Sequence, residues 1–387
     1  MTAKEYFKSL LTPFNIVIGL FLVLIGIPVS VMRFALGLGA TTNLTDINPW
    51  GIWIGVDVMS GVALAAGGFV MATAVHIFGM KKYQPILRPA ILTGFLGYIF
   101  FAIGLLFDIG RPWRLPYPLL VSYGTASILF LIAWHAVLYL TTQFVEFCPA
   151  VFEWLRWKTL RKWAGRVTIG ATVFGAILST LHQSALGGLV LLMPSKLHPL
   201  WYSEYIPVFF LISAIGAAVS MVIVEGALSH RFIKDATDPY HAGNMSEIYL
   251  GLSKAGAAIL FTYFGLKWIG VAHSNNWSLL NTPMGHWFLV EVMVFVLLPC
   301  LLFTGAVRER HPGMALTAAV ITVIGVILNR VNVSLVALNW NAPERYSPHW
   351  MEIVITLTLI SLGILTFRWI VYRMPVLREH PEYKGIH

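Results

Sequence analysis

Long apolar runs alternate with short polar segments from one end of the chain to the other, near 14–36, 52–78, 89–107, 126–147, 167–193, 206–228, 247–272, 286–306, 314–338 and 350–371. Each is close to or above the roughly 20 residues an α-helix needs to cross a bilayer core. The runs are rich in Leu, Ile, Ala, Gly and Phe. They lack the ten-residue apolar/polar alternation of membrane barrel strands. The pattern predicts an all-α integral membrane protein with ten transmembrane helices. No small-residue cleavage site follows the first run, which reads as a retained helix and not a signal peptide. The longest connections are under about twenty residues, near the ordinary loop range, so no extramembrane catalytic domain is expected.

Composition excludes the soluble classes. Of 387 residues, 58% are hydrophobic and only 11% charged, against about 25% charged in a soluble domain. The net charge of +9 is explained by its distribution, without nucleic acid. The N-terminus and every second loop hold 19 of the 26 Lys and Arg, from Lys4, Lys8, Lys81 and Lys82 to Arg373, Arg378 and Lys384. The alternate loops hold five: Arg33, Arg111, Arg114, Lys196 and Arg345. Lys and Arg mark cytoplasmic loops, so both termini are expected in the cytoplasm. Two cysteines, Cys148 and Cys300, are too few for a cluster held by four thiolates. The sequence has no C-x-x-C-H for covalent haem and no Walker A or H-E-x-x-H motif.

Ionisable side chains at membrane depth are costly and point to function. At 1.5 Å per residue, Asp57 lies roughly 10 Å below the outer face. His135, His182, Gln183, Lys267, Glu291, Arg330 and Glu352 also fall in the outer halves of their spans, and Asp108 closes the third span just before Arg111. The inner halves hold fewer, among them Glu225, Lys254, His76 and Glu146. Polar groups converging from many helices at one depth suit a small molecule with polar ends and an apolar body that exchanges protons. A quinone fits that description. Other readings stay open. Asp108 and Arg111 also read as an i, i+3 pair closing a helix. Glu225 serves equally as a proton relay or as the partner of Lys254. His135 and His182, on consecutive antiparallel helices, suit a bis-histidine b-type haem. A secondary transporter would show paired Gly/Pro interruptions in two halves, and none is evident. The loops with Trp50, Trp113, Trp201 and Trp340 form an interfacial belt or a firm docking surface. The basic, tryptophan-rich segment 150–166 suits an anionic lipid surface.

Several strings resemble the NrfD/PsrC family. They are Pro49-Trp50-Gly51-Ile52-Trp53 leading to Asp57 and Gly67-Gly68; Asp108-Ile109-Gly110-Arg111; Leu181-His182-Gln183-Ser184; His198-Pro199-Leu200-Trp201; Glu225-Gly226; Glu291-Val292; and Asn329-Arg330-Val331-Asn332-Val333-Ser334. Their order and spacing over nearly the whole chain carry the likeness, which is nearest to the ten-helix branch with HybB-type hydrogenase and HmcC-type cytochrome-complex subunits. The resemblance implies two four-helix bundles, 50–193 and 194–338. Residues 1–49 supply a cytoplasmic tail and a flanking first helix, and 339–387 a tenth helix and a second cytoplasmic tail. It implies a quinone-interacting subunit in a bacterial inner membrane, inactive without its partners, using menaquinone or ubiquinone and carrying no haem or iron–sulfur cluster of its own. A ferredoxin-like iron–sulfur subunit is expected on the periplasmic face, linking to a multihaem cytochrome c or a hydrogenase. Trp50, Trp53 and Asp57 would line the quinone pocket, with Asp57 and His182 as the reactive groups and Gln183 beside them. Asp108 and Arg111 would shape its mouth, and Glu225, Glu291 and Arg330 would form a proton path.

Overall fold

Leucine- and alanine-rich runs close their own backbone hydrogen bonds, the one open-ended solution available in hydrocarbon. The computed structural model describes residues 11–233, 239–378 and 383, with side chains in the seventh helix described from Met245 onward. Lys4, Lys8, Lys234 and Lys384 lie outside the described residues. Ten membrane-length helices follow in order: α1 Pro13–Leu36, α2 Trp53–Ile77, α3 Lys81–Asp108, α4 Ile128–Trp154, α5 Lys158–Leu191, α6 Ile206–Phe232, α7 Met245–His273, α8 Pro283–Glu309, α9 Pro312–Val336 and α10 Trp350–Arg373. No strand occurs among the described residues. This is the all-α, ten-helix integral membrane architecture that the apolar pattern predicts.

The sequence also sets the helix starts. Thr12, Thr282 and His311 accept hydrogen bonds from the first turns of α1, α8 and α9, each with a proline in that turn. His349 and Glu352 form a reciprocal capping box on α10. Such caps satisfy the amides that a helix leaves unpaired at its start.

Helix α4 packs antiparallel along α5, and the contacts give the register. Glu153 meets Arg161 at 2.7 Å and Glu146 accepts from Thr172 at 2.8 Å. Gly175 backs on Thr142, Tyr139 lies beside Ser179, and His135 faces His182. Helix α3 packs on α2 and α4, and α5 returns to α2. A second circuit runs α6 to α7, α8, α9 and back to α6. Helix α6 also packs on α2 and α5, while α10 covers α3 and α1 leans on α10. Small residues allow the tightest approaches, as membrane helix interfaces require. A Cβ at Gly187 would stand 2.7 Å from Pro207 Cα, and one at Gly325 would stand 2.6 Å from Phe295 Cβ.

The two ends differ. At the aromatic end, loops 37–52, 192–205, 274–282 and 337–349 are knitted together. Asn43 and Asn48 donate to the Ser347 and Glu344 carbonyls, each at 3.0 Å. Asn339 donates to Ile47 at 2.6 Å, Asn276 to Pro199 at 3.0 Å, and the His198 amide to Ala337 at 2.9 Å. The His198 ring stacks edge-on to Trp340 at 4.8 Å. Burial lowers the pKa of this imidazole, and its Nδ1 accepts from the Leu200 amide. At the opposite, basic end, Glu153 is clamped by Arg88 at 2.8 Å and Arg161 at 2.7 Å.

Candidate functional site

The first polar group lies towards the aromatic end, where α1, α2, α3 and α10 meet. Asp57 sits in a π-helical stretch, Trp53–Ser60. Such insertions re-aim side chains and are frequent at functional sites. Thr356 of α10 donates to Asp57 Oδ2 at 2.7 Å. On the α3 side, Gly104 leaves the room: a Cβ there would stand 3.0 Å from Asp57 Cβ. The Asp57 side chain is nevertheless only half-buried.

Around it the frame is rigid. Trp53 is fully buried and donates its indole N–H to the Glu352 carbonyl at 3.1 Å. Glu352, also fully buried, accepts from the Asn43 and His349 amides at 3.0 Å each and from the Tyr346 hydroxyl. Arg33 reaches from α1 to the end of α3 and donates to the Phe107 and Ile109 carbonyls at 2.8 and 3.1 Å. It thereby satisfies carbonyls that a helix end leaves unpaired and opposes the helix dipole. The basic group acting on Asp108 is this Arg33; Arg111 is exposed to solvent. One Asp108 oxygen is buried with no hydrogen-bond partner. Trp50 is half-buried and packs against the main core, not the Trp53–Phe107 cluster beside Asp57.

The second group lies inside the α2–α5 circuit. His182 is completely buried, with the Tyr98 and Phe101 rings at 5.6 and 5.9 Å. Neither imidazole nitrogen makes a well-formed hydrogen bond. Gln183 donates to the Val62 carbonyl of α2 at 3.0 Å, five residues along from Asp57. Tyr98 packs on Tyr139 at 4.4 Å, and Gln143 is hydrogen-bonded to the Tyr139 hydroxyl. Polar atoms of Tyr98, Gln143 and Gln183 are buried without partners. Unpaired buried polar atoms are costly, so a cluster of them is a candidate for function.

The third group lies in the α6–α9 circuit. Glu291 meets Lys267 at 3.3 Å and accepts from Trp201 at 2.8, Asn329 at 2.7 and Asn332 at 2.5 Å. Arg330 donates to the Phe210 carbonyl at 3.0 Å and the Ser213 hydroxyl at 2.9 Å, with its guanidinium 3.7 Å from the Phe210 ring centroid. All three charged groups are buried. Glu291 pairs directly with Lys267 and reaches Arg330 only through Asn329. Removing its charge leaves Lys267 buried and unpaired, which costs about 3–5 kcal/mol. Glu291→Gln is expected to lower the detergent-solubilised thermal midpoint by several degrees, and adding Lys267→Met should restore most of it.

The structure thus brings Asp57, Trp53 and Asp108 to one region. It brings His182 and Gln183 to a neighbouring one on the other flank of α3, and Glu291 and Arg330 to a third. No hydrogen bond joins Asp57 to His182. Glu225 pairs with Thr93 at 2.6 Å, whereas Lys254 is exposed. Sequence reasoning missed the partners: Arg33, Tyr346 and Thr356 around Asp57, and Tyr98, Tyr139 and Gln143 around His182. The i, i+4, i+7 spacing of Tyr139, Gln143 and Glu146 was a usable signal for a polar face on α4. Arg33 and Thr356 had none, because their partners are more than 70 residues away in sequence.

A haem at His135 and His182 needs a macrocycle-sized space beside an open imidazole nitrogen. His182 instead has no exposed surface and is enclosed by the Tyr98 and Phe101 rings. These residues do not fit a haem, and no step is assigned to one.

Residues 40–339 match the family described as "Polysulphide reductase, NrfD". A protein of Nitratidesulfovibrio vulgaris is 49% identical over 98% of this chain and 98% of its own length. The Escherichia coli protein named "Probable Ni/Fe-hydrogenase 2 b-type cytochrome subunit" is 30% identical over 92% of this chain and 90% of its own. The "Menaquinone reductase, integral membrane subunit" of N. vulgaris is 24% identical over 89% and 87%. With the ten membrane-length helices and a family match over most of its length, this chain is an integral membrane protein that belongs to the NrfD family.

Proposed function

We propose that this chain is the quinone-reactive integral membrane subunit of a respiratory electron-transfer complex. The observation that carries the reading is Asp57: a carboxylate at membrane depth, not fully enclosed by protein, with one hydroxyl partner and a rigid aromatic frame. A carboxylate at membrane depth with a single hydrogen-bond partner is costly. It is explained when Asp57 meets a molecule with a polar head and an apolar body, and menaquinone or ubiquinone is such a molecule. The menaquinone reductase subunit among the relatives supports the same class of substrate.

Quinone reduction takes two electrons and two protons, and quinol oxidation returns them. The electrons pass to or from a partner's redox centre, for which a ferredoxin-like iron–sulfur subunit is the proposed form. A hydrogenase or multihaem cytochrome c lies beyond it. Asp57 and His182 handle the protons. Trp50, Trp53 and Gln183 position the ring region, and Asp108 and Arg111 stand at its mouth. Residues 50–193 form the quinone-binding bundle and 194–338 the second bundle. Glu225, Glu291 and Arg330 supply the charges for proton handling. In the bacterial inner membrane the basic end and both termini face the cytoplasm. The aromatic end, with its interlocked loops, faces the periplasm and receives the partner subunit. A surface whose loops are already ordered binds at low entropic cost.

Photolabelling with an azidoquinone tests the pocket. Labelled peptides are expected from 50–62 and 98–111, and excess unlabelled naphthoquinone should suppress them. Labelling confined to α6–α9 would move the pocket to the other circuit and refute the assignment.

A further inference from the structure

The corner between α4 and α5, at the basic end, carries charge and aromatic surface that the fold itself does not use. Glu153 is the one carboxylate in the segment 150–166, and Arg88 and Arg161 already clamp it. Arg156, Lys162 and Arg166 are exposed and form no ion pair among the described residues. Trp154, Trp157 and Trp163 stand beside them in the chain, 39%, 51% and 59% exposed. The corner is ordered. Arg156 turns the chain in the left-handed region, at φ 59°. The Trp157 ring stacks on Phe152 at 6.1 Å, and the Arg166 guanidinium lies 5.4 Å from the Trp163 ring centroid. The first turn of α5 has no acidic residue and no side-chain cap, so the helix dipole adds to the positive field.

Helix length places this patch at the membrane surface. The 34 residues of α5 span about 50 Å at 1.5 Å per residue, against roughly 30 Å of hydrocarbon core. From Val167 to Ser195 the sequence holds no Lys, Arg, Asp or Glu, so Arg166 marks the boundary between headgroups and hydrocarbon. Beyond it the outer face of α5 is apolar and uncovered: Val167, Gly170, Val173, Phe174 and Ile177 are all exposed. Gly170 lies one turn past Arg166 on the same face. A Cβ there would meet nothing within 4 Å, so the missing side chain leaves a shallow furrow directly below the cations. Tryptophan favours the headgroup level, and Lys and Arg there attract anionic lipid.

We propose that the α4–α5 corner is a binding site for an anionic phospholipid of the basic-end leaflet. Lys162 and Arg166, one turn apart on α5, hold its phosphate together with Arg156 at the turn. One acyl chain runs past Trp163 and along the furrow at Gly170 to Phe174 and Ile177. A free phosphate would answer the cations and leave the furrow unused, and so would an acidic protein surface. A lipid answers both. Its binding fixes the depth of α5, the helix that carries His182 and Gln183. The site stands apart from the quinone reading and does not depend on it.

Native mass spectrometry of the full-length chain in detergent tests this. Dioleoylphosphatidylglycerol is the anionic probe and dioleoylphosphatidylcholine the zwitterionic one. The wild type is expected to hold one phosphatidylglycerol at concentrations that leave it free of phosphatidylcholine, and to unfold at a higher temperature when it is bound. Arg156→Gln, Lys162→Gln and Arg166→Gln together should weaken phosphatidylglycerol binding about a hundredfold, at about fivefold for each cation. Gly170→Leu keeps every charge but fills the furrow, and should weaken binding severalfold. Arg231→Gln, Lys254→Gln and Arg308→Gln together make the same change in net charge elsewhere at the basic end and should bind as the wild type does. If the first triple variant does not purify, Arg166→Gln and Gly170→Leu decide. Equal binding of the two lipids by the wild type would overturn the site, as would unchanged phosphatidylglycerol binding in the first triple variant. An equal loss in the second triple variant would reduce the patch to net charge and overturn it too. Displacement of the lipid by inorganic phosphate alone would mark a simple anion site and refute the lipid assignment.

Discussion

Replacing Asp57 by Asn is expected to cut quinone-linked turnover about a hundredfold while the complex still assembles. Asparagine keeps the shape and, through its carbonyl, still accepts the Thr356 hydrogen bond. The variant should therefore fold, and α2, α3 and α10 should keep their contacts. What it loses is the ability to take or give a proton next to the bound ring. Proton transfer by a positioned side chain is worth roughly 10²–10⁴-fold. The measurement is turnover with a water-soluble naphthoquinol, set against the partner subunits' own activity with an artificial electron acceptor. The first should collapse and the second should hold. A parallel fall in both would mean that Asp57 supports assembly and not chemistry.

The second large effect is expected at His182. The imidazole fills space between Tyr98 and Phe101, so His182→Ala removes both a proton carrier and packing. Large-to-small changes in a tight core cost about 2–5 kcal/mol, and part of any loss would be structural. His182→Gln separates the two contributions because it refills much of the volume with a polar group that does not titrate near neutrality. Quinone-linked turnover is expected to fall about a hundredfold in both variants, with thermal stability lowered mainly in His182→Ala. Full activity in His182→Gln would leave the imidazole a packing residue.

Much of the architecture was legible in the apolar pattern because the bilayer constrains it so tightly. A span must be long, apolar and internally hydrogen-bonded, and each of the ten predicted runs falls on one of the ten helices. Boundaries were less legible. The third span begins at Lys81 and the fifth at Lys158, several residues before the apolar stretch, because a helix continues into the interface wherever polar residues can snorkel or pair. Arg161 does so by meeting Glu153.

The site was legible in its charged members and illegible in its partners. Asp57, His182 and Arg330 stood out because ionisable groups are rare at that depth. Arg33 did not, since its position near a helix end matched an ordinary interfacial arginine; only the fold shows it capping α3. Glu352 was visible, but its role as the acceptor that ties Asn43, Tyr346 and His349 together depends on α10 returning beside α1 and α2. The π-helical stretches at Trp53–Ser60 and Asn332–Val336 were illegible as well. A one-residue insertion in the hydrogen-bond ladder leaves no mark in hydropathy.

The most direct test of the quinone assignment compares naphthoquinol-driven electron transfer in the purified complex with and without this chain, read out at the partner's redox centre. Fast reduction of that centre is expected only when this chain is present, with loss in Asp57→Asn and restoration on adding back the wild-type chain. Equal rates with and without the chain would place the quinone site elsewhere in the complex and contradict the account.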